Sequence, residues 1–417
     1  MGLLEEIKLL EDEIILHRRH LHAHPELSGC EHETLTYIRK QLALLDIPTT
    51  LIDKGGILAE IDSGVEGKTI MLRSDIDALP IGEIETAKNQ SYCSREKGVM
   101  HACGHDAHTA MLLVAAKVLV NHKQSFKGRV LLCFEQGEEG FFNLRYILRH
   151  LEKNKVKIDS CFAMHVSPYI DNGKLMVNSG PIMAGLGKFD IEIQGQSGHG
   201  SRSDLAKNPI DCFADIMNGL QKARLNMIDP FEVFSMSVCE VHAGSSINII
   251  PETLRFKGTY RYYNMDVALT YRQIIQEVCE SAASLKQLEI IYHQLPHPSY
   301  PLINHPDAVQ FFKEHLDELS GDIIESTPWM GSETYAYYLL KYPGMYLFLG
   351  TNNPDKGIHS DVHNAHFDVD ESVLYKGVYA FVQYSIAFLN HEVSYPFVAD
   401  TQSIEEIFAL QGYEVND

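Results

Sequence analysis

The chain has 417 residues, of which 45% are apolar and 22% are charged, and its formal net charge is −21 at pH 7. Two domains are expected, because this length exceeds what a single hydrophobic core usually supports. The negative charge argues against nucleic acid and anionic membranes as partners, so we expect a small-molecule ligand.

The N-terminal stretch predicts a helix over residues 3–22, with apolar residues at helical spacing and Pro25 just beyond it. Its first residues are acidic where an export signal needs basic ones, and they lack a continuous apolar core. No run of the sequence is as long as a membrane span. We therefore expect a cytoplasmic protein, whose eight scattered cysteines are free thiols.

Four short apolar runs of buried-strand type, at 69–73, 130–134, 161–164 and 345–349, each lead into polar side chains. In open α/β sheets, ligands bind beyond the carboxyl ends of the strands. The residues after these runs are therefore predicted to converge on one rim of a sheet, together with a Cys and a His from a nearby loop. They are Asp75, Asp77, Cys103, His105, Glu138, Glu139, His165 and His363.

The stretch at 100–108 reads M-H-A-C-G-H-D-A-H and is unusually dense in metal-binding side chains. Cys103 and His105 are two positions apart, which suits a turn that points both at one ion. A helix is predicted to begin near His108, so these ligands should lie just before its N-terminus. The partial positive charge of that helix end favours Cys103 as a thiolate.

Thiolate, imidazole and carboxylate groups at this rim are numerous enough to hold two divalent ions. Thiolate and imidazole suit zinc, whereas carboxylate and imidazole admit manganese, so both metals stay open. Glu138 and Glu139 are adjacent and cannot easily bind the same ion from one backbone. One of them is expected to be a ligand and the other to accept a proton from water.

From residue 188 to 294 the predicted elements follow the order βαββαβ, which is typical of a ferredoxin-like unit with its own core. We therefore predict a catalytic domain formed by 1–187 and 296–417 and interrupted by an inserted lid domain at 188–295. The lid carries a glycine-rich loop, G-Q-S-G-H-G at 195–200, in which His199 is the single imidazole. Such a loop can approach a ligand closely and donate to an oxyanion.

Several motifs together resemble the aminoacylase-related metallopeptidases, and within them the amidohydrolase branch of hippurate hydrolases, N-acyl-amino-acid deacylases and auxin-conjugate hydrolases. The resemblance runs from about His17 to about Leu389. The motifs are H-R-R-H-L-H-x-H-P-E-L at 17–27, L-R-S-D-I-D-A-L-P at 72–80, H-A-C-G-H-D-x-H at 101–108, M-H-V-x-P at 164–168, G-H-G at 198–200, N-I-I-P at 248–251 and H-x-x-x-F-D at 363–368.

The resemblance implies an α/β fold in which a mixed-sheet catalytic domain, with helices on both faces, holds two metal ions. It also implies that Cys103 bridges the two ions. Glu139 and His363 would complete one ion, and His105 and His165 the other.

The resemblance further implies that Glu138 is the general base, that Asp77 orients a ligand, and that His199 stabilises the oxyanion. Asn248 is expected to contact the substrate carbonyl and Arg261 the substrate carboxylate. The implied function is metal-dependent hydrolysis of the amide bond in N-acyl amino acids, related small conjugates or dipeptides. A homodimer or a higher homo-oligomer is expected to form through the lid.

The chain departs from the family's usual residues at Gln136, Gly137, Phe141 and Thr334, which leaves the acyl group and the amino acid of the substrate open. One alternative is a non-catalytic regulatory protein that keeps the fold and a metal, and the loss of Glu138 would mark it. Glu138 is present. Another alternative is a redox sensor built on Cys103, with Cys93 as its resolving thiol.

Overall fold

The computed structural model describes residues 1–140 and 142–413, and the chain divides into two compact units. Unit 1 comprises Met1–Ile182, Ile303–Thr327 and Thr334–Ile404. Unit 2 comprises Met183–Leu302, Pro328–Glu333 and the stretch that begins at Glu405.

Unit 2 differs from the predicted insertion at 188–295 in its bounds. It begins earlier because the backbone N–H of Ala184 donates to the carbonyls of Trp329, at 3.1 Å, and Gly331, at 2.9 Å. Near the C-terminus, the N–H of His297 donates to the carbonyl of Leu410 at 3.2 Å. Both later pieces of chain had been predicted as parts of the catalytic domain, and neither has a sequence pattern that indicates these contacts.

The first part of the chain alternates helices and strands. Its elements are α1 (Leu3–Lys8), α2 (Glu11–Ala23), α3 (His32–Leu44), β1 (Thr49–Ile52), β2 (Gly56–Asp62), β3 (Thr69–Asp75), α4 (His105–Asn121), β4 (Arg129–Glu135), α5 (Leu144–Lys153), β5 (Ser160–Asp171), β6 (Leu175–Met176) and β7 (Gly180–Met183). The predicted single helix at 3–22 is wrong, because the chain turns at Leu9 and Leu10, where the Leu10 N–H donates to the Ile7 carbonyl.

The middle of the chain contains the predicted βαββαβ order. Its elements are β8 (Gly185–Gln194), β9 (Gly198–His199), α6 (Pro209–Met227), β10 (Phe234–Ala243), β11 (Ile249–Ile250), β12 (Thr253–Tyr262), α7 (Met265–Lys286) and β13 (Glu289–Gln294). Both helices begin where their sequence indicates, because the side chains of Asn208 and Asn264 accept from the first-turn N–H groups.

The last part of the chain contributes β14 (Leu302–Asn304), α8 (Pro306–His315), β15 (Ile323–Ile324), α9 (Ala336–Lys341), β16 (Gly344–Asn352), α10 (Leu374–Asn390) and α11 (Ile404–Leu410). None of the helices within the described residues combines the length and the apolar character that spanning a membrane would need.

Unit 1 is built on an eight-stranded mixed sheet with the order β1-β2-β4-β3-β5-β16-β6-β15 among the described residues. Every residue of β3 is buried, as are those of β16 up to Thr351. This burial is expected for a sheet whose two faces are both covered. The core of this unit joins apolar residues of β3, β4 and β16 to those of α4 and α10.

Unit 2 is built on a four-stranded antiparallel sheet with the order β10-β12-β8-β13. Its core joins Ile191 and Phe256 of the sheet to Ile216 of α6 and Ile275 of α7. The two units therefore have separate cores, and the predicted fold class, a mixed α/β domain with an inserted ferredoxin-like unit, is confirmed.

Candidate metal centre

The centre lies at the edge of the unit 1 sheet where parallel strands end. The strands β4, β3, β5 and β16 run parallel to one another, so their carboxyl ends share one edge. Asp75 is the last residue of β3, and Glu138 and Glu139 follow β4. His165 was predicted to follow a strand, and this is wrong: it lies within β5, which continues to Asp171.

The turn from Cys103 to His105 depends on Gly104, which has a φ of 94°. A Cβ at this position would lie 2.3 Å from Cγ2 of Val166, so both the backbone conformation and the space require glycine. The Gly104 carbonyl accepts from the N–H groups of Ala107 and His108. Helix α4 therefore begins at His105, and not near His108 as predicted.

Two groups of three ligand atoms share the Cys103 thiol. One group joins Cys103 to His105 and His165, and the other joins Cys103 to Glu139 and His363, with the atoms of each group within 4.8 Å of one another. Sγ of Cys103 lies 3.3 Å from Nε2 of His165. This arrangement places the five predicted metal ligands together in unit 1.

The protonation of His105 and His165 follows from their neighbours. Nδ1 of His105 lies 3.0 Å from an Asp77 carboxylate oxygen, and Nδ1 of His165 lies 2.5 Å from the Val166 carbonyl. Because both neighbours only accept hydrogen bonds, each Nδ1 carries the proton. With the proton on Nδ1, Nε2 of each ring is the nitrogen that can bind a metal ion, and it faces the Cys103 groups.

His363 is tied to the Cys103 loop by its backbone, since its N–H donates to the Ala102 carbonyl at 2.7 Å. Its Nε2 lies 3.1 Å from Oε1 of Glu139, and the hydrogen bond to that carboxylate raises the pKa of His363. His359, the other histidine of this loop, belongs to none of the ligand groups among the described residues.

In the protein alone, the surroundings of this centre favour the uncharged forms of Cys103 and His165. Burial, followed by the nearby Glu139 carboxylate, raises the pKa of the Cys103 thiol well above its ordinary value. Burial also lowers the pKa of His165, which favours the neutral imidazole. Cys103 as a thiolate beside the Glu139 carboxylate would need added positive charge nearby, and the mixed sulfur, nitrogen and oxygen donors fit divalent cations.

Asp77 contacts two of the ligand residues. Its Oδ1 accepts from His105, and its Oδ2 accepts from the backbone N–H of Glu139 at 3.0 Å and from the hydroxyl of Ser28 at 2.5 Å. Asp77 is completely buried, and despite that burial its hydrogen bond with His105 lowers its pKa. As an ionised carboxylate, Asp77 therefore holds the His105 ring and the Glu139 backbone in place.

His108 is close to the centre but both of its nitrogens are occupied. Nδ1 lies 2.6 Å from an Asp75 oxygen, and Nε2 accepts from the backbone N–H of Val166 at 2.9 Å. The ring of His108 is 4.5 Å from the ring of His165. His108 therefore supports the position of His165, and no lone pair is left for a metal.

Glu138 is half-buried beside the ligand groups. Hydrogen bonds fix both its carboxylate and the turn that precedes it. Its Oε1 accepts from the backbone N–H of Thr334 at 3.1 Å. The preceding turn is fixed by the buried carboxylate of Glu31, which accepts from the Gln136 side chain at 2.9 Å and from the Gly137 N–H at 2.8 Å.

Ser28 and Glu31 were not predicted as site residues, and Thr334 was singled out only as a departure from the family's usual residues. They are ordinary polar residues whose partners lie far along the chain, and the sequence carries no signal for such contacts. Phe141, one of the positions at which the chain departs from the family's usual residues, lies outside the described residues.

His199 and Asn248 lie in unit 2 on two short paired strands, β9 and β11, and at the turn between them. Nδ1 of His199 accepts from the backbone N–H of Ser201 at 3.2 Å, which leaves Nε2 to carry the ring proton. The N–H of Gly200 donates to the Asn248 carbonyl at 2.8 Å. His199 is exposed, and its Nε2–H is available as a hydrogen-bond donor.

Arg261 lies on β12 of unit 2 and is half-buried. No carboxylate pairs with it among the residues that the structure describes, and burial lowers its pKa. A desolvated guanidinium without an acidic partner is costly, so this position favours the binding of an anion.

These surroundings disfavour the redox alternative. All eight cysteines are free, as predicted, and Cys103 is buried. Burial, with an added effect of Glu83, raises the pKa of Cys93 to about 12. A resolving cysteine needs a thiolate at neutral pH, and Cys93 lacks one.

Comparison with known proteins finds relatives whose sequences align with most of this chain. The sequence model that describes peptidase family M20/M25/M40 matches residues 71–386. The chain is 34% identical over 403 residues to a thermostable carboxypeptidase 2 of Saccharolobus solfataricus, covering 93% of this chain and 98% of the relative. It is 34% identical over 378 residues to an N-acetyl-L-cysteine deacetylase of Bacillus subtilis, covering 89% and 87%.

A solved structure has a similar fold. It is a Bacillus subtilis protein described as a dinuclear metal binding peptidase, with a TM-score of 0.78 and 29% identity. The alignment covers 92% of this chain and 99% of that one.

Proposed function

This chain belongs to peptidase family M20/M25/M40 and is a metal-dependent hydrolase of amide bonds, and from that premise we propose that it cleaves N-acyl amino acids at a centre of two divalent ions. The observation that carries the proposal is the position of Cys103 in both groups of ligand atoms, with Glu138 beside them. Cys103, His105, His165, Glu139 and His363 would hold the ions.

Two divalent ions, when bound, supply Lewis-acid polarisation of the amide carbonyl and lower the pKa of water. Residues of the protein then transfer the proton. Glu138 accepts a proton from the attacking water and returns it to the nitrogen of the leaving amine. Its separate contact with Thr334 supports this division of roles with Glu139, whose carboxylate faces His363.

His199 is proposed to donate its Nε2 hydrogen to the oxyanion of the tetrahedral intermediate. The contact of Nδ1 with the Ser201 N–H supports this role, because it fixes the tautomer that donates. A preorganised donor of this kind stabilises charge that develops in the transition state. Asn248, on the adjoining turn, is proposed to contact the substrate carbonyl.

The substrate is proposed to carry a free carboxylate next to the scissile amide. A carboxypeptidase and an N-acetyl-L-cysteine deacetylase, two relatives of this chain, share this feature, since in both reactions the amide nitrogen belongs to an amino acid with a free carboxylate. The half-buried Arg261, with no acidic partner among the described residues, supports the same substrate class. A bidentate contact with that carboxylate would orient the amide.

The chemistry of the donor set is compatible with both zinc and manganese, so the identity of the metal is open. We propose a homodimer that forms through unit 2, where β10 is an edge strand of the sheet. Val241 of that strand is 45% exposed, and Ile249 nearby is 54% exposed. Light scattering on the purified protein measures the oligomer directly. The cytoplasmic location stays a prediction.

The proposed function is tested with purified protein loaded separately with zinc and with manganese. The substrates are N-acetyl derivatives of methionine, cysteine, phenylalanine and glutamate, each paired with the same compound whose carboxylate is converted to an amide. Released amine is measured. We expect turnover of N-acetyl amino acids and at least tenfold slower turnover of the amides. A fully loaded protein that releases no amine from any compound would support the non-catalytic alternative.

A further inference from the structure

Thr334 connects the Glu138 carboxylate to a buried ion pair in the sheet. Its backbone N–H donates to Oε1 of Glu138 at 3.1 Å. Its hydroxyl donates to Oε1 of Glu135 at 3.1 Å and accepts from Nη2 of Arg73, also at 3.1 Å. The side chain of one residue is therefore anchored to β3 and β4, while its backbone reaches the proposed base.

The anchor is a buried ion pair with two hydrogen bonds. Arg73 and Glu135 form a bidentate pair, with Nε to Oε2 at 3.0 Å and Nη2 to Oε1 at 2.9 Å. Arg73 is 1% exposed, Glu135 is completely buried and Thr334 is 6% exposed. Hydrogen bonds to charged groups away from water are strong and directional, so the threonine hydroxyl fixes the peptide that donates to Glu138.

We propose that Thr334 is a positioning residue for hydrolysis, holding the Glu138 carboxylate in the orientation that accepts the proton. This inference rests on the proposed function, in which Glu138 is the base. A backbone donor orients a carboxylate only if its own peptide is held still, and the hydroxyl of Thr334 provides that restraint. A small displacement of a proton acceptor costs rate even when substrate and metals bind normally.

The test compares three variants, two at Thr334 and one control at Thr34. Thr334→Val keeps the size of the side chain and removes the hydroxyl, whereas Thr334→Ser keeps the hydroxyl. Thr34→Val is the control, because Thr34 is also buried and its hydroxyl donates to a carboxylate, that of Glu26 at 2.8 Å, outside the metal centre. Steady-state kinetics on the fastest N-acetyl amino acid, metal content and thermal unfolding are measured for each.

We expect Thr334→Val to lower kcat by about tenfold to a hundredfold, with KM and metal content close to those of the parent protein. Thr334→Ser should restore kcat to within about threefold, and Thr34→Val should leave kcat unchanged. A Thr334→Val protein with parental kcat would overturn the inference. So would a loss of kcat that follows a parallel loss of metal or that Thr334→Ser fails to rescue.

A double-mutant cycle with Glu138→Asp separates this inference from the proposed function. The shortened carboxylate has already lost its contact with Thr334, so adding Thr334→Val should lower kcat by less than about twofold further. If the two substitutions instead lower kcat by independent factors, Thr334 acts without Glu138. That result would overturn this inference and leave the proposed function intact. Parental kcat in the metal-loaded Glu138→Gln protein would instead remove Glu138 as the base and overturn the proposed mechanism.

Discussion

The carboxylate of Asp77 accepts a hydrogen bond from Nδ1 of His105 at 3.0 Å, and its other oxygen accepts from the backbone N–H of Glu139 at the same distance. One buried side chain thus sets the tautomer of one proposed ligand and the backbone position of another. The contact joins the end of β3 to the first turn of α4 and to the loop after β4.

Replacing Asp77 with Asn is therefore expected to weaken metal binding. The amide keeps the size of the carboxylate but loses the charge that favours the His105 tautomer, and partners of this kind are typically worth 10-fold to 100-fold in metal affinity. Titration of the apo protein with zinc, followed by calorimetry, measures the change. The exposed Asp62→Asn is the control, and equal affinities in both variants would contradict the role of Asp77.

Replacing Gly104 with Ala is expected to abolish tight metal binding while the rest of the protein stays folded. The new Cβ would meet Val166 at 2.3 Å, so the turn that presents Cys103 and His105 must shift. Gly98→Ala is a matched control, because Gly98 also has a positive φ, 81°, but has no atom within 4 Å of an added Cβ. Metal analysis and circular dichroism on both variants check the prediction, which fails if both retain the same metal content.

Metal removal is expected to expose the thiol of Cys103 to modification. A metal-bound thiolate is protected, and the apo protein loses that protection. Peptide mapping after treatment with a maleimide should show labelling of Cys103 at least tenfold faster after chelation, whereas the exposed Cys30 serves as an internal control with an unchanged rate. Equal rates at Cys103 before and after chelation would show that it is not a ligand.

Replacing Arg18 with Met is expected to destabilise unit 1 strongly. The buried guanidinium of Arg18 contacts Asp106 at 2.8 Å and Asp368 at 3.0 Å. Its loss removes the buried cation that pairs with both carboxylates, which costs about 3–5 kcal/mol of unfolding free energy.

The control is Arg19→Met, because the Arg19 side chain is 43% exposed and its salt bridge with Glu371 is worth about 0–1 kcal/mol. Urea unfolding of both variants measures the difference. Similar losses of stability in the two variants would contradict the assignment of Arg18 as a buried anchor.

The sequence was most informative where chemistry is concentrated. The spacing of Cys103 and His105, the paired Glu138 and Glu139, and strand runs followed by polar residues together predicted which side chains meet in unit 1. The βαββαβ order of unit 2 was predicted from its alternating strand-like and helical patterns. Its helices begin directly after Asn208 and Asn264, residues that cap helices by a local hydrogen bond.

Features that depend on tertiary contacts could not be predicted. Helix α4 begins at His105 because the close approach of Val166 selects an unusual backbone angle at Gly104, and no local pattern indicates that approach. Thr334 and Glu31 hold the Glu138 loop from distant positions in the chain, as residues of ordinary polar type. The bounds of unit 2 likewise depend on hydrogen bonds between remote segments.

The most direct test of the proposed mechanism is amine release by Glu138→Gln and Glu139→Gln at equal protein concentration, with the metal content of each sample measured. The neutral amide of Glu138→Gln cannot accept a proton, so we expect full metal content with amine release lowered by about 100-fold or more. Glu139→Gln should instead lose metal, because its carboxylate lies among the ligand atoms. Near-parental amine release by metal-loaded Glu138→Gln would contradict the account.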